Sequence, residues 1–326
     1  MQETMKGVAV FGGGALGMLL AGKLALAEVP VTVWTRTEGQ AAKIREAGIS
    51  IEQPGRDPAQ AVRLDAAAFG DVHPGYEGIV LVALKQTSLN EPLLAEMRRK
   101  LGEGAGIVLF QNGIGHVERA ASFLPGRELL AAVTTEGALR IGETAVRHTG
   151  SGETWIGRWE PEADTPADSG KPSLPEAAAN ALEKAGFSVF VSNQIRERML
   201  RKLLVNAVIN PLTALWRVTN GELPATPERL SAMRALFRET EGILRLHGLR
   251  NADDDELWET VLGVCTATAA NRSSMLQDVD AGRETEIDAM NGAVSRMGEA
   301  SGMEAPWNAA VTALVKAILS PKERGV

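Results

Sequence analysis

Residues 7–27 read GVAVFGGGALGMLLAGKLALA. Val8 and Val10 with Phe11 predict a short buried strand, and Gly12-Gly13-Gly14 predict a loop. From Ala15 to Ala27 the apolar residues recur at helical spacing and no proline interrupts them. The next run, Val29–Trp34, alternates through Val31 and Val33 and predicts a second strand. Strand, glycine loop, helix and strand within about 30 residues make one βαβ unit. Gly12, Gly14 and Gly17 form G-x-G-x-x-G directly after the strand and at the mouth of the helix. The three glycines permit a tight turn, close approach of backbone to a pyrophosphate, and close packing of helix on strand. The helix N-terminus offers its free N–H groups to phosphate. The pattern alone also fits any glycine-rich turn; its place in the first βαβ unit points to a dinucleotide.

Working outward, the alternation continues. Gln40–Ala47 predicts a helix, and Ile49–Gln53 and Ala61–Leu64 predict short strands around a turn rich in Pro and Gly. GIVLVAL at 78–84 and GIVLF at 106–110 are continuous apolar runs, the pattern of parallel strands covered on both faces. Residues 129–159, short β stretches broken by Gly, predict a meander, and 186–191 one more strand. Residues 160–175 hold no large apolar residue before Leu174 and predict an exposed loop. After about residue 194 the β signals stop. Helical spacing covers Ile195–Leu215, with Pro211 expected to end or kink it, then Leu230–Leu246, Glu256–Asn271 and Glu284–Ala300. Asp253, Asp254 and Asp255 crowd the start of the third of these, where carboxylates suit the helix dipole. The expected fold is therefore α/β: an N-terminal Rossmann-type, doubly wound sheet over residues 1–193 and an all-α domain over 194–326.

Composition narrows the function. The 326 residues carry 41 Asp and Glu against 34 Lys and Arg, a net charge of −7. That mild acidity argues against a nucleic-acid surface, which needs a basic stripe. No stretch reaches the ~18 uninterrupted apolar residues of a membrane span, and the N-terminus lacks a secretory layout. The one cysteine, Cys265, sits in the apolar run LGVCTATAA with no basic neighbour. It is expected to be a buried, inert thiol, which suits a reducing cytoplasm. The oligomeric state stays open between monomer and homodimer.

The strand ends carry the candidate cofactor residues. An NAD site places Asp or Glu at the end of the second strand. Here the strand ends Val33-Trp34-Thr35-Arg36-Thr37, with Arg36 24 residues beyond Gly12 and no carboxylate before it in the turn. A guanidinium matches a 2′-phosphate, so NADP(H) is expected over NAD. Lys85 and Asn112 end the next two strands at the carboxyl edge, where open α/β sheets bind ligands. From the residues alone, Lys85 is equally a surface charge, and Asn112 equally a turn former.

In the second half, RKLLVNAVINP at 201–211 places Lys202, Asn206 and Asn210 four apart, on one helix face between apolar residues. Such a stripe is costly to bury without polar partners. A solvated face would favour Glu, Lys and Arg over the two amides. Asn271–Asp278 and Glu284–Asp288 read, by themselves, as a helix end and a charged helix start.

The ordered set GGGALG, LK at a strand end, QNG, RKLLVNAVINPLTAL, NGEL at 220–223, NRSSMLQD and TEIDAMNG resembles the ketopantoate reductase (2-dehydropantoate 2-reductase) family over nearly the whole chain. The resemblance implies NADPH-dependent reduction of a small 2-keto acid. It implies Lys202 as the general acid. Asn206, Asn210, Asn220 and Ser274 would hold the substrate's carboxylate and hydroxyl groups. Gly12, Gly13, Gly14, Ala15, Leu16 and Gly17 would wrap the pyrophosphate, and Arg36 and Lys85 would take the 2′-phosphate. Asn112 would bridge nicotinamide ribose and substrate, the backbone near Ala138 would touch the cofactor, and Glu286 would sit where cofactor and substrate meet. The loop at 160–175 looks longer than the family's. Two other readings stay in view: a reductase of a different branched 2-keto acid, and a dinucleotide-sensing protein without catalysis.

Overall fold

The computed structural model describes residues 7–53, 56–159, 172–250 and 253–319. Most of the expected loop at 160–175 therefore lies outside the described residues. The chain divides into two compact units: one holds the residues up to Gln111 with His116–Ile195, the other Asn112–Gly115 with the residues from Arg196.

In the first unit the order is β1 (Val8–Phe11), α1 (Ala15–Leu26), β2 (Val31–Thr35), α2 (Glu38–Ala47), β3 (Ile49–Gln53), β4 (Arg56–Val62), β5 (Asp65–Ala68), β6 (Ile79–Val82), α3 (Glu91–Lys100), β7 (Gly106–Leu109), α4 (His116–Phe123), β8 (Leu129–Thr134), β9 (Gly137–Arg140), β10 (Ala145–Gly150), β11 (Glu153–Arg158), α5 (Leu174–Lys184) and β12 (Ser188–Val191). An eight-stranded sheet runs β5-β2-β1-β6-β7-β8-β11-β12. All its pairs are parallel except β8 with β11. From β1 the chain steps outward to β2 and β5, then returns to the other side of β1 at β6. That reversal opens a crevice at the carboxyl ends of β1 and β6, where doubly wound sheets bind ligands.

The expected meander at 129–159 is corrected. β8 and β11 pair with each other, Thr134 opposite Thr154, inside the large sheet. Hairpin β9–β10 instead joins β3 and β4 in a second sheet, ordered β4-β3-β10-β9. The reason lies in α1, whose Met18, Leu19, Leu20, Ala21 and Leu24 are all at most 2% exposed. A helix apolar around its circumference needs cover on both sides. The large sheet supplies one face, and the small sheet packs on the other. β5 is an Ala-rich segment with little strand propensity of its own, and pairing with β2 makes it a strand.

The second unit contains α6 (Ile195–Trp216, continuous from the end of the first unit), α7 (Pro227–Leu246), α8 (Asp254–Ala267), α9 (Ser274–Asp280), α10 (Asn291–Ala300) and α11 (Pro306–Leu319). Its core includes Leu203, Ala207, Val208, Phe237, Ile243, Leu244 and Cys265, each at most 1% exposed. Burial pushes the Cys265 thiol up to about 11, which keeps it protonated and inert. Asp253 caps α8 by accepting the Glu256 N–H at 2.7 Å. Among the described residues no helix is long and apolar enough to cross a membrane.

Three helical expectations change. Pro211 does not end α6, which continues to Trp216. Asn271–Asp278 is not only a helix end: Ser273 caps a new helix, α9, by accepting the Leu276 N–H. Glu284–Ala300 is not one helix either. A short 3-10 turn at Ile287–Ala289 ends at Met290, whose ψ of −95° interrupts the spiral before α10. There the Ala289 carbonyl turns to accept the Ile114 N–H at 3.2 Å.

Candidate active site

The glycine loop leaves β1 at the crevice. Gly12 has φ +134°, and a Cβ on it would meet the Ala83 carbonyl oxygen at 2.8 Å. A Cβ on Gly17 would meet the Gly12 oxygen at 1.8 Å. Both positions exclude side chains because the loop is pressed against β1 and the end of β6. Gly14 is the opposite case: a Cβ there would meet nothing within 4 Å. Gly14 is also the N-cap of α1, and no side chain caps that helix. With no side chain capping the first turn of α1 and open space over Gly14, this helix start fits a pyrophosphate drawn to the helix dipole. Gln40 on α2 braces this loop, its Nε2 donating to the Gly13 carbonyl at 2.8 Å. Sequence reading missed Gln40, since only the folded chain brings α2 under the loop.

Arg36 follows β2 and is exposed. Thr37 then caps α2, accepting the Gln40 N–H. The next carboxylate, Glu38, is engaged by the Arg45 guanidinium, which holds its carboxyl below the usual range. Lys85 stands beyond β6, three residues past Val82, and is partly buried. Gln111 ties the ends of two strands together, its Nε2 donating to the carbonyls of Val82 and Leu84, each at 3.0 Å. Ala138 lies on β9 opposite His148 of β10. His148 sits 2.6 Å from the buried Glu136 carboxylate, which fixes the entry to β9. Neither Glu136 nor His148 carried a sequence signal beyond a polar residue in a β stretch.

In the second unit, Lys202, Asn206 and Asn210 lie along α6 between the buried Leu203, Leu204, Ala207, Val208 and Ile209. Burial pulls the Lys202 ammonium down to about 8, and the Glu286 carboxylate opposes that pull. Glu286 is 9% exposed and accepts a long hydrogen bond from Asn112 Nδ2, 3.4 Å. One amine, one carboxylate and one amide from three distant stretches of chain thus share this unit. Asn210 is buried, its Nδ2 3.7 Å from Met290 Sδ.

Asn220 is 8% exposed; its Nδ2 donates to Thr268 Oγ1 at 2.9 Å, and its buried Oδ1 has no partner among the described residues. Its backbone N–H donates to the Asn271 carbonyl at 3.0 Å, which ties NGEL to the NRSSM loop. Ser274 begins α9 and is exposed. Its neighbour Ser273 is 2.7 Å from the Thr213 hydroxyl of α6. The expected residues thus form two sets. The glycine loop, Arg36, Lys85 and Ala138 belong to the first unit. Asn112, Lys202, Asn206, Asn210, Asn220, Ser274 and Glu286 belong to the second.

The comparison with known proteins fits this arrangement. Residues 8–161 match the family described as "Ketopantoate reductase PanE/ApbA", and residues 194–319 match "Ketopantoate reductase PanE/ApbA C terminal". A 2-dehydropantoate 2-reductase of Bacillus subtilis is 34% identical over 301 residues, covering 91% of this chain and 92% of that protein.

The chain belongs to the ketopantoate reductase family.

Members of that family are oxidoreductases, and the fold here is theirs. A 2-dehydropantoate 2-reductase of Halobacterium salinarum is 32% identical, covering 88% of this chain and 90% of that one. The crystal structure of a PanE/ApbA family ketopantoate reductase from Ralstonia eutropha aligns with a TM-score of 0.83 at 27% identity, covering 96% of this chain and 98% of that chain. D-mandelate dehydrogenase, solved as a ternary structure with NADH and anilino(oxo)acetate, aligns with a TM-score of 0.84 over 96% of this chain and 98% of that chain. At 23% identity that likeness speaks for the ketopantoate reductase fold alone.

Proposed function

We propose that the chain reduces 2-dehydropantoate to pantoate with NADPH, with Lys202 as the general acid. The observation that carries this reading is the lysine on α6, set among apolar residues, pulled down to about 8 by burial, and paired electrostatically with Glu286. An acid with a pKa near the working pH holds its proton in the ground state and yields it readily in the transition state.

The nicotinamide cofactor is assigned to the glycine loop. Gly12, Gly13 and Gly14 with the N–H groups of Ala15, Leu16 and Gly17 would hold the pyrophosphate, and the open space over Gly14 supports this. Arg36 is exposed, while Glu38, the first carboxylate after β2, is engaged by Arg45. That pairing favours a 2′-phosphate over a free 2′-hydroxyl, with Lys85 as the second cation. The backbone at Ala138 would close the cofactor site. When bound, reduced nicotinamide supplies the hydride.

The chain's own residues do the rest. Asn206, Asn210, Asn220 and Ser274 offer amides and a hydroxyl to the carboxylate and hydroxyl of a small keto acid. The unpartnered, buried Oδ1 of Asn220 is an acceptor for a substrate hydroxyl. Asn112 orients ribose and substrate. As negative charge builds on the substrate's carbonyl oxygen, the Lys202 ammonium stabilises it and donates the proton. Glu286 keeps the amine protonated until that moment.

Purified protein is expected to oxidise NADPH when 2-dehydropantoate is added, faster than with other branched 2-keto acids. Lys202→Ala should lower kcat by ~10²-fold or more while binding NADPH normally. Full turnover in that variant would remove Lys202 from the mechanism. Arg36→Asp should swing preference toward NADH, and an unchanged cofactor ratio would sink the 2′-phosphate assignment.

A further inference from the structure

Pro211 lies inside α6, one residue after Asn210. A proline there has no N–H to give the carbonyl four residues back. That carbonyl belongs to Ala207, which sits between Asn206 and Asn210 and is fully buried. A buried carbonyl left without a donor is costly. Here it has one from outside the helix: Asn291 Nδ2 donates to the Ala207 oxygen at 2.8 Å. The same amide donates to Asn308 Oδ1 at 2.9 Å, and Asn308 Nδ2 reaches Glu239 Oε1 at 2.9 Å. Asn291 and Asn308 are both 0% exposed. Asn291 is also the first residue of α10, directly after the turn that follows Glu286.

We propose that Asn291 is a positioning residue: its side-chain amide replaces the backbone donor that Pro211 lacks, and so fastens the Asn206–Asn210 turn of α6 to the segment that carries Glu286. The proline opens a docking point in the helix, and the asparagine fills it. An unbroken helix would satisfy Ala207 by itself and would offer α10 nothing polar to hold. The catalytic part of this inference rests on the function proposed above; the hydrogen-bond part does not.

A double-variant cycle separates the two parts. Asn291→Ala leaves the Ala207 carbonyl buried without a donor and should lower Tm by about 3–6 °C. Pro211→Ala restores a backbone N–H at that place, so Pro211→Ala/Asn291→Ala should recover most of the lost Tm. Turnover should behave differently. Restoring the helix does not restore its tie to α10, so kcat for 2-dehydropantoate should stay ~10-fold low in the double variant, as in Asn291→Ala. The NADPH Kd should hold throughout.

Equal Tm loss in the single and double variants, or failure of both to fold, would overturn the hydrogen-bond replacement. Recovery of kcat together with Tm would reduce Asn291 to a structural filler and overturn the positioning role. A wild-type protein that does not turn over 2-dehydropantoate would sink the functional reading instead, and the Tm cycle would still decide the replacement.

Discussion

Two titratable side chains, the half-buried Lys202 and the buried His116, show how environment sets chemistry at a single residue. Lys202 lies well below its ordinary value, at about 8. The folded state therefore binds that proton less tightly than the unfolded chain does. The cost of the buried ammonium is present in full below pH 8 and is relieved as pH rises toward the unfolded value of 10.5. Lys202→Met should accordingly raise Tm at neutral pH by about 3 °C while abolishing turnover, a trade expected where function requires a buried charge; thermal melts at pH 7 check it. His116 is depressed to about 3 by burial, with a smaller contribution from Arg119. Its Nδ1 accepts from Gln86 Nε2 at 3.0 Å, so the neutral ring is part of the fold. The stability it contributes is complete above pH 6.5 and is lost as pH falls toward 3. His116→Gln should flatten the acid side of the stability curve, measured as urea midpoints between pH 6.5 and 4. An unchanged slope would mean that His116 is protonated in the folded state.

At the scale of elements, what the sequence made legible were those whose reasons are local. β1, the glycine loop and α1 follow from a β-branched run, three glycines and a proline-free apolar stretch. The stripe on α6 follows from spacing by four. What stayed hidden depends on partners far along the chain. Hairpin β9–β10 leaves the large sheet because α1 needs a second cover. β5 is a strand because β2 lies beside it. Pro211 reads locally as a helix end or kink, yet α6 runs on, and Asn291, 80 residues away, donates to the Ala207 carbonyl that the proline leaves without its backbone partner. Of the site, the polar types on recognisable motifs could be read in advance. Gln40, Gln111 and the Glu136–His148 pair could not, since they act through contacts that no spacing displays. The loop allows a prediction at this scale. Gly14→Ala should leave Tm within about 2 °C, because its Cβ meets no protein atom, yet should weaken NADPH binding ~10-fold or more by filling the place proposed for the phosphate. Gly17→Ala should instead destabilise the fold itself, since its Cβ would overlap the Gly12 oxygen. Paired melts and NADPH titrations distinguish the two.

For the whole molecule, the proposed function splits the labour between a unit that would hold the dinucleotide and a unit that would supply the acid. Each has its own buried core, so each can hold its groups in place by its own packing. Lys202 and Glu286 belong to one unit, so the proton donor proposed above would be tuned without touching the glycine loop. The most direct test of that tuning is the pH dependence of kcat for 2-dehydropantoate reduction by the wild-type protein and by Glu286→Gln. Wild type should hold its rate at neutral pH and lose it tenfold per pH unit above about 8, as Lys202 gives up its proton. Without the carboxylate that favours the ammonium, the limb should move to lower pH. A wild-type rate that stays level through pH 10, or a limb that Glu286→Gln leaves in place, would contradict the assignment of Lys202 as the proton source.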